Sequence, residues 1–232
     1  GIGFSDGDPD ATSFPVPGTL VPVPWADVPT AQVQIAPAPP PHESHWWFDP
    51  RSILRSVVER YSGLGLRPVV ANELEFYFIQ TGRDEDGKLI PAQTDRPGRS
   101  AAAPRVLAFD KLDEWSKILA EIDHAAQVQG VPAGASTAEY GGTQFEVNLS
   151  HGDDPVLACD QALMLRRIVK GVAAKHGLDA TFMSKPCGEQ SGSGLHVHAS
   201  LIDAQGQNIF DDSRTDGDLR MGQAIAGLQA TA

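Results

Sequence analysis

Residues 185–200, KPCGEQSGSGLHVHAS, are the stretch that best shows how this chain is organised. Three glycines in it allow the backbone to approach another part of the molecule closely, namely Gly188, Gly192 and Gly194. His196 and His198 follow, separated by one apolar residue. Because side chains alternate between the two faces of a strand, both imidazoles project to one side, whereas Leu195 and Val197 project to the other. The stretch therefore predicts a strand with one polar face.

A His-x-His pair alone is compatible with an ordinary solvent-exposed strand, and a glycine-serine tract is compatible with a plain turn. The same arrangement recurs, however, in the apolar run PVVANELEFYFI at residues 68–79, where Glu73 and Glu75 share one face. Two carboxylates side by side on a buried strand are costly unless a cation neutralises them. The recurrence favours a cation site over an exposed strand.

A third strand is predicted at residues 142–150, GTQFEVNLS, where apolar residues alternate with polar ones, the latter being Gln144, Glu146 and Asn148. Glu139 lies seven positions before Glu146, an odd separation that would place them on opposite faces of one regular strand. Gly141-Gly142 permits a bend or bulge between them, so that both face one cavity. Three such strands predict a concave sheet lined with ligands for hard cations.

The composition restricts the kinds of partner. The chain has 232 residues, of which 41% are hydrophobic, as is ordinary for a globular domain. A formal net charge of -12 argues against nucleic acid and against an anionic membrane surface, because both repel an acidic protein. No apolar run approaches the about 20 residues that a membrane helix needs. We therefore expect no nucleic-acid partner, no membrane partner, and a metal between the protein and any phosphate it binds.

The cysteines and the two ends of the chain bear on location and completeness. Cys159 and Cys187 do not have a metal-binding spacing, and few cysteines without a signal peptide favour a reducing compartment. The sequence begins without Met and stops in the helical-looking run GQAIAGLQATA. We therefore expect a cytoplasmic protein of which this chain is a fragment.

Helices are predicted between the strands. Asp49-Pro50 and Asp154-Pro155 each combine an N-cap with a favourable first helical residue, and Asp110 is expected to cap the helix between them. The alternation of helices and strands predicts an α+β fold in which a curved sheet is backed by helices. APAPPP at residues 36–41 lacks the donors for a ladder and predicts an extended connector. We therefore place a domain boundary between residues 1–36 and 37–232.

Three motifs resemble the glutamine synthetase family: NELEFYFI at 72–79, AEYGGTQFEVNL at 138–149 and HGLDATFMSKPCGEQSGSGLHVHASL at 176–201. Within it they are most similar to the branch of γ-glutamylpolyamine and γ-glutamylputrescine synthetases. The resemblance implies a β-grasp-like N-terminal domain, whose last part would be residues 1–36. It also implies a catalytic domain with a curved antiparallel sheet, whose first part would be residues 37–232. Subunits of the family form stacked rings with active sites between neighbours, so a homo-oligomeric double ring is expected.

By motif position, the resemblance assigns the candidate ligands to two divalent ions, Mg²⁺ or Mn²⁺. The ligands of the first ion would be Glu75, Glu139 and Glu146. The ligands of the second ion would be Glu73 and His196. A further glutamate of the family lies downstream of Ala232. His196 would also be the catalytic residue, Gly192 would contact the substrate amino acid, and His198 and Ser200 would bind the nucleotide.

The resemblance implies a ligase that uses ATP to join glutamate with ammonia or a primary amine through a γ-glutamyl phosphate. Ser136-Thr137-Ala138 stands where the ammonia-using bacterial enzymes carry histidines, and Ser191 stands where they often carry Asn. Both departures allow an amine larger than ammonia as the nitrogen donor. Two alternatives remain open, a catalytically silent homologue with a structural or regulatory role and a metal-dependent hydrolase. The 232-residue fragment by itself is expected to be inactive.

Overall fold

The computed structural model describes residues 12–38, 49–93 and 105–231 of this chain. Its helices are α1 (Pro50–Gly63), α2 (Phe109–Val128), α3 (Pro155–Lys175) and α4 (Gly217–Thr231). Its strands are β1 (Ser13–Pro15), β2 (Val21–Pro22), β3 (Ala31–Gln32), β4 (Ile35–Pro37), β5 (Arg67–Arg83), β6 (Leu89–Pro91), β7 (Ala133–Ala138), β8 (Gln144–Leu149), β9 (Leu178–Thr181) and β10 (Leu195–Ile202). The expected domain boundary between residues 36 and 37 falls within β4, residues 39–48 lie outside the described ranges, and the boundary stays a prediction.

A six-stranded antiparallel sheet forms the centre of the described structure. Its main path runs β10-β5-β8-β7, and β6 and β9 pair with β5 as well. The 17-residue strand β5 therefore touches four neighbours: β10 and β8 along its first half, and β9 and β6 along its second. The expected α+β architecture, a curled antiparallel sheet backed by helices, is confirmed.

One face of this sheet is covered by α2 and α3. Leu74, Phe76 and Phe78 of β5 project to that face, and all are at most 2% exposed. Phe78 stacks on Trp115 of α2, with ring centroids 5.0 Å apart and planes 9° apart. The apolar positions of β8 join them, because they lie directly opposite in the antiparallel register. Burying this face leaves the alternate side chains of the same strands on the other side.

Two of the three expected helix starts are confirmed. The Asp49 carboxylate accepts from Ser52 N at 3.0 Å, and the Asp154 carboxylate accepts from Val156 N and Leu157 N at 3.0 Å. The expectation for Asp110 was wrong, because Ala108 is the N-cap of α2 and Asp110 lies in the first turn. An acidic residue in the first turn still interacts favourably with the helix dipole, which explains why Asp110 resembles an N-cap in the sequence.

The N-terminal segment, residues 12–38, packs on the outer side of the helices. It contains two small antiparallel pairs, β1–β4 and β2–β3. Trp25 lies against Gly171 of α3, where a Cβ atom would come within 2.2 Å of the indole nitrogen. Gln129 Nε2 donates to the Pro22 carbonyl oxygen at 2.7 Å. Both contacts anchor this segment to the body that carries the main sheet.

Strand β10 forms one edge of the main sheet and differs from the other strands in burial. Leu195 and Val197, expected on an apolar back, are 64% and 61% exposed. Helix α4 likewise carries exposed apolar side chains, including Leu219 at 63% and Leu228 at 71%. Within residues 12–38, 49–93 and 105–231, no helix has the length and apolar character needed to cross a membrane.

Candidate metal centre and substrate loop

The register of the central strands brings the candidate ligands onto one face. In the β5–β8 pair, Glu75 lies opposite Glu146 and Glu73 lies opposite Asn148. In the β5–β10 pair, Glu73 lies opposite His196. Directly opposed residues of antiparallel strands point to the same side of the sheet, which here is the side away from the helices. The alternation predicted from the sequence is therefore present, with polar side chains from three strands sharing one surface.

Three of these residues form a compact group. Glu73, Glu146 and His196 each offer one ligand atom, and these atoms all lie within 4.8 Å of one another. His196 Nδ1 is 3.1 Å from Glu73 Oε2, and His198 Nε2 is 2.8 Å from Glu73 Oε1. Glu73 is thus held between two imidazoles from the same strand. His198, which is expected near the nucleotide, contacts the candidate metal ligand Glu73.

Glu139 reaches the same group through a hairpin rather than through a bulge within one strand. Strand β7 ends at Ala138, and the turn containing Gly141 leads directly into β8. The backbone N–H of Glu139 donates to the Gln144 carbonyl oxygen at 3.0 Å, which continues the ladder by one step. The hairpin therefore places Glu139 and Glu146 on the same face of the sheet by reversing the chain.

Mutual repulsion among the carboxylates is visible in their protonation. Burial raises the pKa of Glu139, and the negative charges of Glu146 and Glu75 raise it further. Burial also raises the pKa of Glu146, and the negative charges of Glu73 and Glu75 add to this effect, whereas the hydrogen bond from Asn148 offsets part of it. Burial raises the pKa of Glu73 too, but its contacts with His196 and His198 lower it more, so the net pKa lies below the ordinary value.

These features fit a site for a hard divalent cation. The donors are carboxylate oxygens with an imidazole, a set that Mg²⁺ and Mn²⁺ accept. The pKa values of Glu139 and Glu146 are raised by burial first and by neighbouring negative charge second, and a nearby cation would neutralise that charge. Asn148 Oδ1 is buried beside Glu146 and has no hydrogen-bond partner among the described residues. An acceptor left unpaired at such a position is available to a water molecule of a hydrated ion.

The stretch from Ser184 to Gly194, here called the substrate loop, lies beside this group. Tyr77 of β5 is fully buried, and its hydroxyl donates to the Ser191 carbonyl oxygen at 2.7 Å. Gln144 Nε2 donates to the Gly192 carbonyl oxygen at 2.9 Å and to Glu75 Oε2 at 2.7 Å. A Cβ on Gly194 would lie 2.9 Å from Glu75 Oε1, so a larger residue there would displace this carboxylate. The candidate substrate-binding Gly192 is therefore adjacent to a candidate metal ligand.

Lys111 is the main residue that sequence reasoning missed. It is fully buried, and its Nζ donates to the carbonyl oxygens of Glu139, Gly141 and Gln144 at 2.8, 2.6 and 2.6 Å. It also lies over the Phe145 ring, 4.7 Å from the centroid. Burial and the charge of Arg105 lower its pKa to about 8. Lys111 therefore fixes the β7–β8 hairpin from behind, a role for which the sequence contains no local signal.

Tyr77 was missed as well, although a signal existed. It follows Glu73 and Glu75 at the next position of the same alternation, and therefore had to share their face. Ser200 is the candidate that lies furthest from the group. On β10 it lies opposite Val69 of β5. It follows His196 by four residues, which is roughly 13 Å along a strand. The structure thus groups Glu73, Glu75, Glu139, Glu146, His196 and Gly192, places His198 against Glu73, and leaves Ser200 apart.

Comparisons with known proteins agree on one family. The sequence profile described as glutamine synthetase, catalytic domain, matches residues 48–232. The γ-glutamylputrescine synthetase PuuA of Escherichia coli (strain K12) is 36% identical over 98% of this chain and 48% of its own length. The glutamate–isopropylamine ligase of a Pseudomonas species is 31% identical over 99% of this chain and 49% of its own length.

Solved structures give the same result for the fold. GmaS without ligand superposes with a TM-score of 0.74 at 28% identity, covering 93% of this chain and 48% of the GmaS chain. GmaS in complex with ADP gives a TM-score of 0.71 at 28% identity, covering 93% of this chain and 47% of the other. The chain thus spans about half the length of the relatives it matches, 48% and 49% for the two ligases.

Proposed function

This chain belongs to the glutamine synthetase family, and from that premise we propose that the protein is an ATP- and divalent-metal-dependent ligase that makes a γ-glutamyl amide. In the proposed reaction, the γ-carboxylate of glutamate attacks the γ-phosphorus of ATP and ADP departs. The nitrogen of ammonia or a primary amine then attacks the acyl carbon of the γ-glutamyl phosphate, and inorganic phosphate departs. The isolated 232-residue chain is expected to be inactive.

The single observation that supports this proposal most is the convergence of Glu73, Glu146 and His196, whose ligand atoms lie within 4.8 Å of one another. Glu75 faces Glu146 across the β5–β8 ladder, and Glu139 is close enough for their charges to raise its pKa. The five candidate ligands are two on β5, one just after β7, one on β8 and one on β10, and they exceed the one or two carboxylates by which Mg²⁺ is usually bound. This number supports two ions side by side, one held by each group of ligands.

The two groups are assigned as follows. The first ion would be held by Glu75, Glu139 and Glu146. The second ion would be held by Glu73 and His196. When bound, such ions neutralise the negative charge that develops on the transferring phosphoryl oxygens. His196, whose imidazole is 58% exposed, would also act as the catalytic residue.

The remaining roles follow the position of each residue around this group. Gly192 would bind glutamate, because its carbonyl oxygen is held by the same Gln144 amide that holds Glu75. His198 and Ser200 would bind the nucleotide from the outer part of β10. Enclosing these reactants matters because an acyl phosphate hydrolyses when water reaches it.

We propose a primary amine, rather than ammonium alone, as the nitrogen donor. Ser136-Thr137-Ala138 precedes Glu139 and supplies no imidazole there. The relatives reported above are named for putrescine and for isopropylamine, two amines with alkyl chains. Both observations favour a donor with a carbon chain.

The quaternary structure and location belong to the same proposal. A homo-oligomeric double ring with a site between neighbouring subunits, in the cytoplasm, is the arrangement that the family resemblance implies. Light scattering on the purified protein, expressed from its complete reading frame, tests the assembly. A monomer at micromolar concentration would contradict it.

A phosphate-release assay tests the activity. The protein, expressed from its complete reading frame, is supplied with ATP, Mg²⁺ and glutamate, and with ammonium, putrescine, ethanolamine or isopropylamine in turn. We expect release that depends on glutamate and increases with at least one amine. The Glu73→Gln variant should lose it, whereas Glu121→Gln, which removes a surface carboxylate paired with Lys175, should keep it. No amine-stimulated release in any mixture would favour the catalytically silent homologue.

A further inference from the structure

The side chain of Gln144 joins the candidate metal centre to the substrate loop. Its Nε2 donates to Glu75 Oε2 at 2.7 Å and to the Gly192 carbonyl oxygen at 2.9 Å. Its Oε1 accepts from the backbone N–H of Gly141 at 2.9 Å. Gln144 is 1% exposed. A single buried amide therefore touches a candidate metal ligand, the candidate substrate glycine and the hairpin turn.

These three bonds leave the amide little freedom. Both Nε2 hydrogens are used, and the carbonyl oxygen has a partner that fixes which end of the amide faces the loop. A flipped amide would place its oxygen against Glu75 and against a carbonyl oxygen, which is repulsive at both contacts. The backbone of Gln144 is also held, since its carbonyl oxygen accepts from Lys111 Nζ at 2.6 Å. Any movement of Glu75 must therefore either move Gln144 or break its bond.

We infer that Gln144 is a positioning residue that couples occupation of the cation site at Glu75 to the ordering of the substrate loop at Gly192. The identities of the two ligands, a divalent cation and glutamate, rest on the function proposed above. A cation that fixes the Glu75 carboxylate also fixes the amide bonded to it, and through it the Gly192 carbonyl. A second ligand at the loop then meets a partly ordered site and loses less conformational entropy on binding. The coupling is positive and, by linkage, reciprocal.

Tyr77 provides a matched control for this inference. Its hydroxyl holds the same loop one residue earlier, at Ser191, with a hydrogen bond of 2.7 Å. That bond goes to the loop alone and does not include a carboxylate. Removing it in Tyr77→Phe should loosen the loop in the presence and in the absence of metal. Removing the amide donors in Gln144→Met should instead abolish the effect of metal on the loop.

Cys187 offers a direct measurement of loop order, because it lies in the substrate loop and its side chain is half-buried. The exposed Cys159 is first replaced in a Cys159→Ser background. The alkylation rate of Cys187 by iodoacetamide is then measured with and without saturating Mg²⁺, in the protein expressed from its complete reading frame. Calorimetric titration with Mg²⁺, in the absence and in the presence of glutamate, measures the same coupling as a change in Mg²⁺ affinity.

We expect Mg²⁺ to slow alkylation of Cys187 by about fivefold or more, the lower end of ordinary coupling between sites. The ratio of the alkylation rate without Mg²⁺ to the rate with Mg²⁺ should fall to near one in Gln144→Met. Tyr77→Phe should keep this ratio and raise both rates. Gln144→Leu is also apolar and without a donor, so it should behave as Gln144→Met. If either foldable variant at position 144 retains the wild-type ratio, or if Mg²⁺ has no effect in the parent, the inference is wrong.

These readouts separate the inference from the proposed function. Neither alkylation nor Mg²⁺ calorimetry requires turnover, so a protein without ligase activity still gives a clear result. Conversely, if an amine stimulates phosphate release but Mg²⁺ does not change the alkylation rate of Cys187, the coupling is refuted and the proposed function is not. In an active enzyme, Gln144→Met should raise the KM for glutamate more than it lowers kcat. Glutamate would bind less readily to the less ordered loop, whereas the metal ligands remain in place.

Discussion

The two strands that flank the first half of β5 supply ligands to the same surface under very different conditions. On the β8 side, Gln144 is 1% exposed and Lys111 is fully buried behind the hairpin. On the β10 side, the imidazoles of His196 and His198 are 58% and 63% exposed. Strand β5 thus has a buried neighbour, β8, on one side and an exposed neighbour, β10, on the other. We call these the closed side and the open side.

The difference shows how a crowded acidic site is made possible. Carboxylates that repel one another remain together on the β8 side because buried hydrogen bonds over-determine the backbone that carries them. The β10 side needs no such constraint, since Glu73 attracts both imidazoles directly. Changes on the β8 side should therefore have large and separable effects on ion binding and folding, whereas those on the β10 side should affect folding little.

The largest effect is expected from Glu146→Ala on the closed side. Loss of a direct ligand should weaken Mg²⁺ binding on the order of 100-fold, the upper end of what even indirect ligand contacts contribute. Folding without metal should not suffer, because the raised pKa of Glu146 shows that its charge is unfavourable there. Calorimetry and thermal unfolding with chelator measure the two quantities. A marked fall in the melting temperature of the metal-free variant would contradict this interpretation.

Lys111→Met should destabilise the protein by about 2 kcal/mol, because three buried carbonyl oxygens lose a charged donor and only part of that loss is offset by not burying an ammonium. The apolar stem is retained, so packing against Phe145 changes little. Urea unfolding measures the change. Lys117→Met on the exposed face of the same helix is the control and should differ from wild type by less than about 0.5 kcal/mol. Equal effects of the two substitutions would show that the hairpin does not depend on Lys111.

The pH dependence of the metal-free protein should reveal the repulsion on the closed side. Glu139 and Glu146 have folded pKa values above the ordinary 4.5. Their contribution to stability is therefore fully present below about 4.5 and is lost as the pH rises through the raised values. A Glu139→Gln, Glu146→Gln double variant should gain melting temperature relative to wild type as the pH increases from 4 to 7. Saturating Mg²⁺ should reverse the order, and a constant difference across this range would contradict the prediction.

The smallest effect is expected from His198→Gln on the open side. Its contact with Glu73 is solvent-exposed, and exposed ion pairs contribute roughly 0–1 kcal/mol. Unfolding free energy in the absence of metal should therefore change by less than about 0.5 kcal/mol at neutral pH. A loss as large as that of Lys111→Met would show that β10 is held as firmly as β8.

The sequence predicted those features that depend on local periodicity. Alternation on β5, β8 and β10 placed Glu73, Glu75, Glu146 and His196 on one face, as the register confirms. Asp49 and Asp154 were identified as helix caps for the same reason, because a cap acts on backbone groups two or three residues away. What was predicted well therefore requires no knowledge of distant residues.

The rest depends on contacts between distant parts of the chain. A lysine within a helical pattern is ordinarily exposed, and Lys111 is buried only because a hairpin about 30 residues later presents three carbonyl oxygens to it. Leu195 and Val197 fit an apolar back in pattern, yet no described residue covers them sufficiently. The roles assigned to Gly192, His198 and Ser200, and the division into residues 1–36 and 37–232, remain predictions.

Gly171 of α3 determines how closely the N-terminal segment packs on this helix, because Trp25 lies directly against it. The indole fills a notch in α3 that exists only because Gly171 lacks a side chain. A single added methyl group would collide with the ring, and α3, which carries this position, packs on the face of the sheet opposite to the candidate ligands. A Gly171→Ala substitution would therefore disturb the packing of the N-terminal segment without touching the ligand face, which offers a way to study the two parts separately.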